Sequence, residues 1–405
     1  MKQNKGTSNE RIWSKSFISI FIVNFVMSMG QFMMNTLIPK YAYQLGGTAA
    51  ITGVVAGVFA VTALGIRPVA GPAMDFFRKN RLLSISVGII TVTFIFYGFA
   101  RNIGMLIAAR LMHGIGIGMS APLCLAIASN SLPDSKIASG LGMFSLGGAI
   151  ATASGPTLGL KLAATIGYSN TFFICASLMA ASFALTFMLK NDTPQVSGRF
   201  RINLKQALAP EVLLPTLVMF FQIIAFSGIN SFIAIFGEKC GVEDIGLFFT
   251  ANALTLLLVR PVSGRIADRY GIDKTIIPGF ILFIGALIFI SFSRTLPMFI
   301  LAGVVTAIGF GISEPLLQAM NMQLVPKARR GAAGNTNYLG IDFGFLIGPT
   351  LAGAVISVVE NSTGSEIQGI AVMYRVMIIP VIVALVIFAR NRKKLRERIR
   401  ALRTE

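Results

Sequence analysis

The sequence predicts an all-α membrane protein with twelve transmembrane helices in two parallel six-helix repeats. Three observations carry that prediction. Hydrophobic residues make up 54% of the 405-residue chain and charged residues only 13%, about half the charged share of an ordinary soluble domain. The apolar residues gather in runs of roughly 20, the length that crosses a hydrocarbon core about 30 Å thick. Finally, RPVAGPAMD begins at Arg67 and RPVSGRIAD at Arg260, 193 positions later, with Arg, Pro, Val, Gly and Asp in the same places.

In chain order the runs lie at about 16–38, 49–72, 81–100, 104–126, 138–161, 167–189, 212–236, 246–267, 274–292, 297–321, 333–357 and 367–390. Lipid offers the backbone no hydrogen-bond partner, so each run must be a helix. The most polar stretch, KNDTPQVSGRFRINLKQALAPE over 190–211, reads as a linker. It divides the chain into a bundle at 1–189 and a bundle at 212–390, followed by a basic tail at 391–405.

The net charge of +19 follows from topology. Counted on alternate sides of the runs, 26 of the 35 lysines and arginines share the side of the two termini, and only Lys40, Arg101, Lys161, Lys239 and Arg294 fall on the other. Arg67, Arg110, Arg260 and Arg375 lie within or at the ends of runs. This is the positive-inside pattern, which places both termini in the cytoplasm of a multi-pass cell-membrane protein and gives no reason to invoke a nucleic-acid partner. The tail RNRKKLRERIRALR suits either a stop-transfer cluster or a helix resting on anionic lipid. No cleavable signal peptide is apparent, since the first run is too long and lacks a small-residue cleavage site. Three scattered cysteines and one histidine exclude a disulfide framework and a multi-histidine metal site, so no metal is expected.

The repeat extends beyond its opening nine residues. At the same offset GIGMSAP (Gly116 to Pro122) falls on GFGISEP (Gly309 to Pro315), GPTL at Gly155 falls on GPTL at Gly348, and Pro133 falls on Pro326. A duplicated unit with an even number of helices keeps both copies in one orientation, and such parallel repeats leave a substrate site where the halves meet at the midplane.

On these motifs the chain resembles a major facilitator superfamily transporter over nearly its whole length, and in particular the twelve-helix drug/proton antiporter branch. The superfamily's loop motif, Gly-x-x-x-Asp-Arg-x-Gly-Arg-Lys, is matched by Gly264, Asp268, Arg269 and Gly271. In the first half it is matched by Gly71, Asp75, Arg78 and Lys79 only with one position skipped, and Phe76 stands where Arg belongs. The resemblance implies a cytoplasmic latch at Asp75 and Asp268 that stabilises one transport state, with the glycines admitting close helix approach. The fifth run, GLGMFSLGGAIATASGPTLG, is similar to the branch's antiporter signature through Gly147, Gly148, Gly155, Pro156 and Gly159, and the eleventh repeats its core as Gly348, Pro349 and Gly353. Small residues there are expected to pack the halves tightly and proline to kink the helix at a fixed point. RLMHGIG supplies the superfamily's Arg-x-x-x-Gly element as Arg110 and Gly114. The arginine is expected to help pass protons by acting on a nearby acid, whereas His113, with no titratable neighbour identified, reads as a packed residue.

Of the sixteen carboxylates, only Glu314 and Asp342 fall well inside apolar runs, at similar depth. A titratable group held there is a functional candidate in its own right. Their repeat equivalents are Ala121 and Ala149, so both acids are additions of the second half. Glu314 is assigned as the main proton-coupling acid and Asp342 as the second, with a structural salt bridge as the competing role for either. Asn24, Ser28, Gln31 and Asn35 recur at near-helical spacing in the first run, and Asn230 corresponds to Asn35 if two inserted residues are allowed. With Phe25, Phe221 and Phe226 they form the candidate substrate cavity. Aromatic walls with a few amides and acids suit an amphiphilic organic molecule, cations included, and suit a sugar poorly.

The resulting reading is a monomeric exporter of small amphiphilic molecules by proton antiport, with the bilayer and the substrate as its only partners and the proton gradient in place of a cofactor. No Gly-x-x-x-x-Gly-Lys-Ser/Thr loop is present to couple ATP. The runner-up is a proton-coupled importer or facilitator. A membrane enzyme or receptor is the remote alternative, and it lacks a nucleophile, base or ligand cluster.

Overall fold

The apolar runs become helices whose ends are set by local caps and glycine turns. The structure is a computed structural model, and it describes residues 13–132, 137–189, 208–326 and 330–404, among which there is no strand. The helices are α1 Lys15–Gln44, α2 Ala49–Gly57, α3 Phe59–Phe76, α4 Lys79–Phe99, α5 Ile103–Asn130, α6 Ile137–Ile166, α7 Tyr168–Thr186, α8 Leu213–Lys239, α9 Gly246–Tyr270, α10 Ile272–Phe292, α11 Leu296–Gln323, α12 Arg330–Thr363, α13 Glu366–Val376 and α14 Ile378–Thr404. Eleven spans among the described residues are long and apolar enough to cross a membrane. The fifth predicted run is the 30-residue α6. The hydroxyl of Ser14 accepts from the amide of Phe17 at 3.1 Å and starts α1, while Gly271, at φ +97°, makes the tight turn from α9 to α10.

Two predicted runs are divided. The second breaks at Val58 into α2 and α3, and the twelfth breaks at Met377 into α13 and α14. Both runs are apolar across the break itself, so hydropathy contains no sign of an interruption. The basic tail is no separate element, because α14 runs on through it to Thr404. There Leu395 and Ile399 are buried, and Arg396 reaches Asp273 at the start of α10 at 3.1 Å. Residues 190–207 of the predicted linker lie outside the described residues. Its end docks on the second half, where the amide of Ala209 donates to Thr336 at 2.9 Å.

One hydrophobic core gathers residues between 17 and 189, and another gathers residues between 209 and 399 with Ala49 reaching in from the first half. The halves meet along α12 with α2 and α3, α6 with α9, and α1 with α8. With twelve crossings both chain ends share one face, here the terminal face, and the opposite side is the far face. Toward the far face α2 and α12 approach to backbone contact. A methyl added at Gly53 would overlap the carbonyl oxygen of Pro349, and one at Gly353 would overlap that of Ala49. A methyl at Gly57 would lie 2.8 Å from the carbonyl oxygen of Phe345, the oxygen that Pro349 leaves without its intrahelical donor. Gly53-x-x-x-Gly57 is thus a small-residue seam between the halves.

Gly53→Ala is expected to lower the unfolding midpoint of the purified protein, at a cost of about 1–3 kcal/mol from overpacking. Gly264→Ala, whose added carbon meets nothing within 4 Å, should leave the midpoint level or raise it, since alanine is the better helix former. An unshifted Gly53→Ala protein would show that the seam is loose.

Candidate functional site

The repeated arginines and the two intramembrane acids meet. Arg67 lies nine residues before Phe76, Arg260 ten before Tyr270, Glu314 nine before Gln323, and Asp342 twelve after Arg330. At 1.5 Å per residue, all four sit about 14–18 Å from the helix ends on the terminal face. Arg67 on α3 donates through Nε to Oδ2 of Asp342 on α12, an ion pair that joins the two halves. It is nearly sealed, with Arg67 3% and Asp342 5% exposed. The guanidinium also lies 4.8 Å from the ring centre of Tyr338, one turn before Asp342 on α12. Arg260 on α9 faces Glu314 on α11, with Nη2 3.5 Å from Oε2, inside the second half. Gln318, one turn along α11, donates to the other oxygen of Glu314.

Nearer the centre, a small space of about 10 Å³ lies between the halves, lined by Phe32, Thr152, Phe226, Ile229, Asn230, Phe248, Phe249, Asn252 and Thr306. Phe226 stacks face to face on Phe310 at 3.8 Å, and Phe310 is one turn before Glu314 on α11. Beyond this space the far face is closed by polar ties as well as by the glycine seam. Lys40 pairs with Glu238 at 2.8 Å, and Glu366 receives both Lys239 at 2.8 Å and the Tyr43 hydroxyl at 2.7 Å. Thr157 on α6 donates to the carbonyl of Gly246 on α9 at 2.7 Å.

A model of the Major Facilitator Superfamily matches residues 20–243 and again 216–404. The chain belongs to the major facilitator superfamily. As a superfamily member it is a multi-pass membrane transporter and not an enzyme. Among its relatives are the quinolone resistance protein NorA of Staphylococcus aureus strain COL, 23% identical over 379 residues that cover 89% of this chain and 96% of that protein, and the staphylopine export protein of Staphylococcus aureus strain Mu50, 23% identical over 358 residues that cover 85% and 90%. The fold is shared with the nucleoside transporter NupG, with a TM-score of 0.73 at 15% identity over 92% of this chain and 98% of that one. It is shared also with a bacterial homologue of the human lysosomal transporter Spinster in an inward-facing, occupied conformation, with a TM-score of 0.76 at 13% identity over 94% and 97%.

Against this transporter frame the sequence-predicted site residues divide. Phe226 and Asn230 line the central space, although Asn230 donates to the carbonyl of Phe226 in its own helix. Asn24, Gln31, Asn35, Phe25 and Phe221 do not line it. Gln31 donates to Asn35 at 3.0 Å along α1, while its own carbonyl oxygen is buried without a hydrogen-bond partner. Phe25 packs near Gly147 of α6, and Phe221 lies beside Phe220 against the second core. Phe32, Phe248, Phe249 and Asn252 take their places around the space.

Arg110 needs correcting. Its partners among the described residues include no carboxylate. It is 1% exposed and donates to the carbonyls of Val55 at 3.3 Å and Ala56 at 2.6 Å, lying over the ring of Phe59. Those carbonyls are left open by the break at Val58, so Arg110 caps the end of α2 within the bilayer. Gly114, one turn on, lets α5 approach the carbonyl of Phe59 at the start of α3. His113 accordingly reads as packed, 3.2 Å from the hydroxyl of Tyr97.

The glycines of the antiporter signature also act differently from expectation. Gly155 and Gly159, beside Pro156, seat α6 against Phe32 and Leu37 of α1, and Gly348 seats α12 against Ile224 and Ser227 of α8. Both contacts lie within a half, and the seal between halves falls to Gly353, Pro349, Gly53 and Gly57. Gly264 has open space where close packing was expected, and Arg269 lies 5.3 Å from the ring centre of Tyr270. Gly71 and the side chains of Asp75 and Asp268, the predicted latch, lie outside the described residues.

The residues of these two pairs and their neighbours that the sequence reading left without a role are Arg67, Arg260, Tyr338 and Gln318. The repeat had already singled out both arginines, and their depth matches that of the acids. Asp342→Asn is expected to cost about 3–5 kcal/mol in unfolding free energy, because it strands a buried guanidinium. Arg67→Met combined with Asp342→Asn should recover more than half of that loss. If the single and double variants unfold at the same point, the two side chains are not paired.

Proposed function

We propose that this transporter is a proton-coupled exporter, moving small amphiphilic organic molecules out of the cell by alternating access. The observation that carries the reading is the Arg67–Asp342 pair, a sealed charge contact between the two halves near the middle of the bilayer. A proton on Asp342 removes the charge that holds Arg67, so proton loading and separation of α3 from α12 become one event. Asp342 therefore takes the lead among the two coupling acids and Glu314 the second place. Glu314's partner lies in its own half, and neutralising Glu314 loosens no contact between halves.

The direction of transport rests on similarity. One relative carries out staphylopine export and another is named for quinolone resistance, and both fit outward movement. The excess of lysine and arginine on the terminal face assigns that face to the cytoplasm of a cell membrane. The chain works as a monomer on the proton gradient, without a cofactor or a nucleic-acid partner.

Everted membrane vesicles acidified inside should release protons when a quinolone is added, if the chain is present. Asp342→Asn should abolish that release when vesicles holding equal amounts of folded transporter are compared. Proton release that persists unchanged in Asp342→Asn would remove the coupling role. Substrate movement without any proton release in the native protein would remove antiport.

A further inference from the structure

The two ion pairs differ in a way that identifies the substrate's polar end. Arg67 and Asp342 are sealed, whereas the Arg260 side chain is 37% exposed and that of Glu314 14%. The 3.5 Å separation in the second pair is longer than the roughly 2.7–2.9 Å of a charge-assisted hydrogen bond. Nε of Arg260 is buried and has no hydrogen-bond partner. Phe310 lies one turn before Glu314 and stacks on Phe226, which lines the central space, so the neighbours of the pair on that side are aromatic. A stacked aromatic pair thus stands between the central space and a loosened ion pair with an unused donor.

Charge balance restricts what such a pair can accept. A simple cation held by Glu314 draws the carboxylate from Arg260, and guanidinium stays protonated at any ordinary pH. That leaves a cation without a partner in a medium of low dielectric. A simple anion on Arg260 strands Glu314 in the same way. A molecule that carries both groups strands neither charge, and its carboxylate also occupies the open Nε. Glu314 retains acceptor capacity for an ammonium beside its bond from Gln318, since a carboxylate offers about four lone-pair sites.

We propose that Arg260 and Glu314 form the charged end of the substrate site and select a zwitterion. Its carboxylate lies on Arg260, its ammonium on Glu314, and its apolar body against Phe310 and Phe226. Arg260 is then a specificity-determining residue, a role that its repeat equivalent Arg67 does not share, being committed to Asp342. The assignment deepens the export reading and rests on it only for the direction of movement.

The test is equilibrium binding to the purified full-length protein, with no proton gradient, of three matched probes: 4-phenylphenylalanine, its methyl ester and its N-acetyl derivative. The zwitterion should bind about tenfold or more tightly than the cationic ester or the anionic amide. Arg260→Gln should bring the zwitterion down to the affinity of the ester, and Glu314→Gln should bring it down to that of the N-acetyl compound. The unliganded unfolding midpoint of each variant shows whether it folds, and the comparison of probes on the native protein needs no variant. Equal or tighter binding of the ester overturns the proposal, as does failure of the zwitterion to bind at millimolar concentration. Because no gradient is involved, failure here leaves proton-coupled export standing, and loss of proton coupling in vesicles leaves the zwitterion site standing.

Discussion

A charge in the hydrocarbon core must have a partner, and four arginines in this chain show how strongly that condition organises the fold. Arg67 finds a carboxylate in the opposite half, Arg260 finds one in its own half, and Arg110 finds two backbone carbonyls. Arg375, closer to the far face, reaches the hydroxyl of Ser291 at 3.3 Å and lies over the ring of Phe292. Each solution ties two helices together. The cost of an unpaired buried cation, several kcal/mol even after relaxation, is thereby turned into specific contacts that fix how α3, α9, α5 and α13 are rotated about their axes. Dispersion against equally apolar lipid could not fix rotation in this way.

Duplication alone would have made the two repeated arginines equivalent. Their partners break the symmetry. Glu314 corresponds to Ala121 and Asp342 to Ala149, so the first half holds no acid for Arg67 and no counterpart that would let Arg260 reach across to α6. One pair therefore spans the halves and the other stays within one half. A scaffold with near-twofold packing thus carries an asymmetric set of charges, which lets one pair serve the movement between halves while the other remains free to meet a ligand.

The helices were legible because the hydropathy runs are long and the backbone has no alternative in lipid. The depth of Glu314 and Asp342 was legible as well, since residue counts convert directly to height. What periodicity could not supply is azimuth, because helices that are apolar on every side present no preferred face. Arg67 and Asp342 are 275 positions apart in sequence, and nothing local aligns them. The interruption at Val58 was invisible for the same reason, and with it the contact of Arg110 with the end of α2. The amides of α1 do share a face, yet Gln31 and Asn35 use each other as partners, a pairing at one helical turn that spacing alone could have suggested. Gly53-x-x-x-Gly57 was likewise open to reading, as a small-residue seam in an apolar run.

Three of the ties between the halves differ in strength with depth. On the far face the ions are partly solvated, and Glu238 is 61% exposed in its pair with Lys40, so such a contact contributes only about 0–1 kcal/mol. The glycine seam supplies broad dispersion contact, which has no chemical trigger and yields only when the helices are pulled apart together. The Arg67–Asp342 pair alone is both strong in its surroundings and convertible by a single proton. If the halves are to rock about the centre of the membrane, the seam must open toward one face while contacts near the pair change at the other. A lever of that form is governed by whichever tie lies nearest the pivot and can be switched. By position and by chemistry that is Asp342, while the solvated pairs above it follow the motion without determining it.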